Sequence, residues 1–237
     1  MELDVRELNY ALLSRKLVRL HDVFSVHSGS IGFSVTGRQI FAFCLGNPRH
    51  APVFAATFHG MENITGMLLL NFAERLLRAW KNREPLCGVP VRDALRKRGV
   101  WIIPCVNPDG MEIRQFGVSA AGLCWETVDR AAGSAGTQFW QANARGVDIN
   151  HNFNAGWELL RKMEESEGIC GPAPTRFGGY CAESEPETKA LVHFCRKRQP
   201  AYALAFHSQG EEIYWNYGQH TPQPVSYTHL DVYKRQV

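Results

Sequence analysis

Two short apolar runs, residues 52–58 and 201–206, each have the length of one buried strand, and a histidine follows each of them directly, His59 and His207. The first run leads into residues 64–80, where Leu68, Leu69, Phe72, Leu76 and Leu77 recur at helical spacing. A third apolar run, residues 100–106, ends at Asn107-Pro108-Asp109-Gly110, which reads as a tight structural turn. Upstream, the pattern predicts a helix over residues 5–20. Two or three strands follow between residues 23 and 45, with Gly29, Gly32 and Gly37 at the turns. Ser184-Glu185-Pro186-Glu187 has the form of a capping box, opening a helix from 186 to 198 that Pro200 stops before the second histidine run. Residues 92–98 read as the solvated face of a short helix. Residues 117–146, rich in Gly, Ala and Ser without a period, read as a long loop near the site. Strands alternating with helices predict an α/β sheet.

The chemistry is concentrated where the apolar runs end. His59 and Glu62 are three residues apart at a strand-to-helix junction, where an imidazole and a carboxylate can point the same way and share one metal ion. With nine His and 23 acidic residues in the chain, a His-x-x-acid triple is expected about once by chance, so the context has to carry the assignment. His207, delivered by the second run to the same carboxyl-side sheet edge, is the natural third ligand, because open α/β sheets bind their ligands at that edge. Two His and one Glu form the protein half of a catalytic zinc site, with a fourth position left for water.

Four motifs now stand in order: His59-Gly60-Met61-Glu62, Asn107-Pro108-Asp109-Gly110, Gly146-Val147-Asp148-Ile149-Asn150-His151-Asn152-Phe153, and His207-Ser208. In this order the chain resembles the zinc carboxypeptidase family, the carboxypeptidase A-like metallopeptidases, over residues 40–220. The resemblance implies a mixed central sheet flanked by helices, the zinc carboxypeptidase-like (phosphorylase/hydrolase-like) fold. It implies one zinc ion on His59, Glu62 and His207, with Asp148 as the carboxylate that orients His59. It places Arg145 where the family keeps the guanidinium that polarises the scissile carbonyl and stabilises the oxyanion, an arginine that on its own is also what an ordinary surface residue looks like. Asn150 and His151 fall where the family contacts the substrate's carboxylate or amide.

Two departures shape the reading. The family grips a free C-terminal carboxylate with Asn-Arg, and here the pair is Asn150-His151; imidazole lacks the forked, permanently charged contact of arginine. Together with Asn154-Ala155-Gly156-Trp157, Gly171-Pro172-Ala173-Pro174 and the 183–188 segment, this string resembles the bacterial branch that cleaves the γ-D-glutamyl bond to meso-diaminopimelate in cell-wall peptides. The family also draws a general-base glutamate and a capping tyrosine from segments well past the last zinc histidine. Glu211 and Glu212 come too early to match, so the domain over residues 1–223 is read as incomplete at its C-terminal side, and this length of chain as inactive without that base. Residues 224–237, with no period and no resemblance, are read as a non-native or disordered tail.

At 237 residues, 45% hydrophobic and with a net charge of +3, the chain fits one domain, and its scattered basic residues argue against a nucleic-acid partner. No apolar stretch reaches the roughly 18 residues of a membrane span. Seven Cys without a Cys-x-x-Cys pair read as buried free thiols of a protein in a reducing cytoplasm. The expected partner is a small cell-wall peptide, and the sequence leaves the oligomeric state open. Two other readings remain: a zinc deacylase of the aspartoacylase type, and a zinc-holding protein without catalysis.

Overall fold

A computed structural model of the chain describes residues 7–210, 212–214 and 234–236. Among them, α1 (Tyr10–Phe24) leads into a hairpin of β1 (Ser28–Phe33) and β2 (Gln39–Leu45), then β3 (Val53–Ala56) and the long α2 (Asn63–Asn82). A two-residue ribbon, β4 (Pro85–Leu86) with β5 (Val89–Pro90), precedes α3 (Val91–Lys97) and β6 (Val100–Ile103). Then come α4 (Pro108–Phe116), α5 (Trp125–Ala132), α6 (Trp157–Ser166), α7 (Pro186–Arg198) and β7 (Ala203–His207), followed by β8 (Glu212–Tyr214) and β9 (Lys234–Gln236). The strands of the main sheet run in the order β1-β2-β6-β3-β7-β9-β8. β3 is parallel to both β6 and β7, whereas β2 is antiparallel to β6, so the sheet is mixed. The proposed boundary at residue 223 and most of the tail after it lie outside the described residues, as does the start of the predicted 5–20 helix.

Alternation along the strands sorts side chains to two faces. Phe43, Leu45, Val100 and Ile102 pack with Leu13, Leu17 and Leu20 of α1 and Met67, Leu70, Ala73 and Leu77 of α2. Ile40, Ala42, Val53, Ala55 and Ile103 face the other way, onto Ala190, Leu191 and Phe194 of α7. Helices therefore cover both faces, as the strand–helix alternation predicts. α1 starts later than predicted, because Asn9 caps it by accepting the Leu12 amide, and it runs on to Ser25, whose φ of 56° closes it.

Three local expectations change. Asn107-Pro108-Asp109-Gly110 opens a helix: Asn107 accepts the Gly110 amide as N-cap of α4, with Pro108 in its first turn. Asp109, fully buried, binds Arg38 at 2.7 Å, the hydroxyls of Ser34 and Thr36, and the Thr36 amide, tying α4 to the β1–β2 turn. The 117–146 segment holds α5 and two short 3-10 turns; α5 is amphipathic, with Val128 and Ala132 buried, but its eight residues make only about two turns. The seven thiols are free, but Cys105 is the one that is fully buried, and Cys87, Cys170 and Cys181 are exposed.

α7 begins and ends where predicted, but without the capping box. Its N-cap is Glu185, with no side-chain bond to the helix. The Glu187 carboxylate reaches away to the Val35 amide at 3.1 Å and to Asn143 at 3.2 Å. α7 lies so close on β1 that a Cβ at Gly32 would stand 2.5 Å from the Ala190 methyl. Gly32→Val is accordingly expected to destabilise the fold by about 1–3 kcal/mol through overpacking, read as a lower urea midpoint; an unchanged midpoint would mean that α7 is not seated against β1 as described.

Candidate metal centre

Register brings the two histidines together. In the parallel β3–β7 pair, Ala56 stands opposite Phe206, so both strands release their next residues at the same edge. There Thr57 takes a left-handed φ of 51°, a costly conformation for a β-branched residue and of a kind that concentrates at functional sites. Its neighbours hold it in place: its amide donates to Thr65 Oγ1 at 3.0 Å and its hydroxyl to the Pro104 carbonyl at 3.2 Å. The turn sets Phe58 against the His207 ring and leads to His59, ahead of the 3-10 turn Gly60–Glu62 that opens α2. Gly60 is needed here, because a Cβ would stand 2.2 Å from the Gly110 carbonyl oxygen and 2.8 Å from that of Trp140. That close approach seats the 59–62 turn against the 140s loop, which carries Asp148.

His59, Glu62 and His207 are all buried, and one ligand atom from each lies within 4.8 Å of the others. His207 Nδ1 is 3.0 Å from Glu62 Oε2. On its far side His59 Nε2 lies 3.2 Å from Asp148 Oδ1. A carboxylate only accepts, so the His59 proton belongs on Nε2, which leaves the Nδ1 lone pair facing Glu62. That Nδ1 and Glu62 Oε1 are 3.2 Å apart, yet both are buried without a hydrogen bond. Two imidazoles and a carboxylate converging, with His59 Nδ1 and Glu62 Oε1 left unsatisfied, fit a zinc ion, which takes N and O ligands.

The electrostatics point the same way. Burial alone would lower the His59 pKa, but the Asp148 carboxylate, with Glu62 added, outweighs it and raises the value to about 10. Burial alone would raise Glu62, but the hydrogen bond from His207 and the charge of the two imidazoles beside it hold it down at about 2. Asp148 is likewise held well below the carboxylate range against its burial, chiefly by His59. Two buried carboxylates flanking one imidazole demand positive charge, and a divalent cation supplies it in place of the proton. Asp148 is itself fixed by amides, Asn150 N on Oδ1 and Arg176 N on Oδ2, each at 3.0 Å.

The other predicted residues stand on the same loop with different partners. Arg145 is 54% exposed and its guanidinium pairs with buried Glu185 at 3.5 Å. Asn150 and His151 lie in the 3-10 turn after Asp148 and line a cavity of about 640 Å³ with Phe58, Phe153 and Leu160. His151 Nδ1 is 2.8 Å from Glu164 Oε1, and Glu164 also binds Arg161 and the Gly178 amide. Sequence reasoning missed Glu164 and Arg161. Their one signal is the i,i+3 opposite-charge spacing, which on most helices marks a solvated pair, whereas here both residues are buried.

The chain is 30% identical over 229 residues to the gamma-D-glutamyl-L-diamino acid endopeptidase 1 of Lysinibacillus sphaericus, a match that takes in 96% of this chain and 57% of that protein. To carboxypeptidase B of Rattus norvegicus it is 29% identical over 209 residues, 85% of this chain and 44% of that one. The chain thus spans about half the length of the curated relatives it matches. In fold it is similar to the crystal structure of the carboxypeptidase A from Helicoverpa armigera, with a TM-score of 0.67 at 23% identity over 92% of this chain and 50% of that chain. The sequence model of the zinc carboxypeptidase family matches residues 18–236, and with the His59, Glu62 and His207 cluster at the sheet edge, this chain belongs to that family.

Proposed function

We propose that the chain holds one zinc ion on His59, Glu62 and His207, and that this site, completed by the general-base glutamate that the family draws from beyond it, hydrolyses the γ-D-glutamyl bond to a diamino acid, diaminopimelate, in cell-wall peptides. The observation that carries the metal assignment is the buried convergence of these three side chains with Asp148 behind His59. The substrate class is supported by the Lysinibacillus sphaericus relative, similar over nearly the whole of this chain, and by His151 standing where a carboxypeptidase keeps arginine.

Bound there, zinc supplies Lewis acidity toward a carbonyl oxygen and a water. Asp148 fixes the His59 tautomer and ring plane. Arg145, half in solvent, offers a cation to a developing oxyanion, the electrostatic role that matters most in acyl transfer. His151, its Nδ1 proton turned to Glu164, leaves Nε2 for a single contact to a substrate amide or carboxylate, where a guanidinium would make two. The free thiols favour a reducing compartment, and cytoplasmic wall-peptide turnover is the setting proposed. No helix among the described residues is long and apolar enough to cross a membrane.

Asp148→Asn is expected to weaken zinc binding about 10- to 100-fold, the usual cost of losing a carboxylate behind a ligating histidine, measured by competition with a chromophoric chelator. Wild-type affinity in that variant would remove Asp148 from the role. For the substrate, a protein that carries this chain together with the general-base glutamate is expected to release diaminopimelate from γ-D-glutamyl-diaminopimelate, with activity abolished by chelator and restored by zinc. Hydrolysis of N-acyl-aspartate or N-acyl-glutamate instead would establish the deacylase reading. Stoichiometric zinc with no turnover of either substrate would establish a binding role.

A further inference from the structure

No side chain of the Ser184-Glu185-Pro186-Glu187 segment makes a capping bond to α7, and the Glu185 and Glu187 carboxylates both meet Asn143 of the 140s loop. Asn143 stands between them. Its Nδ2 donates to Glu185 Oε2 at 2.7 Å and to Glu187 Oε2 at 3.2 Å. Its Oδ1 accepts the Arg145 amide at 2.9 Å and the Val147 amide at 3.1 Å. At the other end of the loop, Asn152 Oδ1 accepts the Glu185 amide at 3.1 Å, and Asn152 Nδ2 donates to Ser184 Oγ at 2.9 Å. The loop that presents Arg145, Asp148, Asn150 and His151 is thus clamped at both ends to the start of α7.

Within this clamp Glu185 has one further partner. Its carboxylate is 4% exposed; Ser184 Oγ donates to Oε1 at 2.8 Å, and Oε2 takes Asn143 and, at 3.5 Å, the Arg145 guanidinium. Glu187 is the poorer counter-ion, because burial pushes it up to about 8 and so disfavours its charged form. The Arg145 side chain is 54% exposed, and the fixed Glu185 carboxylate holds its guanidinium on the buried side. We propose that Glu185 is a positioning residue for Arg145: its buried carboxylate, locked by Asn143 and Ser184, sets where the guanidinium stands three residues before Asp148. The inference rests on the reading of Arg145 as the cation that meets the oxyanion. A pre-placed charge stabilises a transition state without reorganisation, whereas a wandering one first has to be ordered.

A double-mutant cycle tests this with Glu185→Gln, Arg145→Met and the double variant of the full chain loaded with zinc. The readouts are the Kd of a phosphinic analogue of γ-D-glutamyl-diaminopimelate by calorimetry, the zinc Kd and the melting temperature. Glu185→Gln keeps the shape and an acceptor for Asn143. It is expected to weaken analogue binding about tenfold, to leave zinc affinity unchanged, and to add nothing once Arg145 is Met. A general structural role would lower zinc affinity too, or repeat the loss in the Arg145→Met background, and either result overturns the proposal. If Arg145→Met weakens the analogue and Glu185→Gln does not, the positioning role alone falls; if Arg145→Met binds like wild type, the role of Arg145 falls and this inference with it. Should Glu185→Gln fail to fold, Glu185→Asp, which keeps the charge but withdraws it by one methylene, runs through the same cycle with the same outcomes.

Discussion

Two carboxylates, Glu62 and Asp148, are buried on opposite sides of the His59 imidazole, and the rest of the structure can be read as what makes that tolerable. Buried carboxylates without compensation cost several kcal/mol each. Here the compensation is local and directional: backbone amides on Asp148, an imidazole shared between the two acids, and a second imidazole, His207, on the outer oxygen of Glu62. Such an arrangement selects for positive charge at its centre. A cluster built for stability alone would gain by replacing these charges with well-packed apolar side chains.

Holding the charges there requires backbone that is unusual by local rules. Thr57 sits in the left-handed region so that Phe58 and His59 turn over the sheet edge. Gly60 lets the turn after His59 approach the 110 and 140 carbonyls. Asn107 ties the next strand end to the same place, donating to the Phe58 carbonyl at 3.0 Å and the Gln141 carbonyl at 3.1 Å while capping α4. Three segments distant in sequence meet through side-chain amides and close backbone contacts, and the Asn143 and Asn152 bonds to the start of α7 bring in a fourth. Asparagine serves this purpose well, since one residue can donate and accept at once without adding charge.

The parts of this arrangement that were legible in the sequence are those that adjoin strong hydrophobic signals. His59 and His207 follow apolar runs, parallel pairing puts the ends of those runs at one edge, and the helix after Glu62 announces itself by period. What escaped obeys long-range partners in place of local pattern. In α6 Leu159 and Met163 are exposed while Arg161 and Glu164 are buried, the reverse of what an amphipathic reading assumes; the partners that reverse it are His151 and the Gly178 amide, in other segments. Glu187 looks like the last residue of a capping box because the motif is local, but its carboxylate is taken by Val35, 152 residues away. α5 carries its apolar stripe over only eight residues, about two turns, within a segment otherwise rich in Gly, Ala and Ser.

The whole arrangement turns on whether these side chains hold the metal together. Zinc K-edge X-ray absorption on the reconstituted chain tests that directly. One zinc per chain in a shell of nitrogen and oxygen only, with the outer-ring scattering of two imidazoles, reduced to one in His207→Ala, is the predicted result. A sulfur shell from the free cysteines, or an unchanged spectrum after His207→Ala, would contradict it.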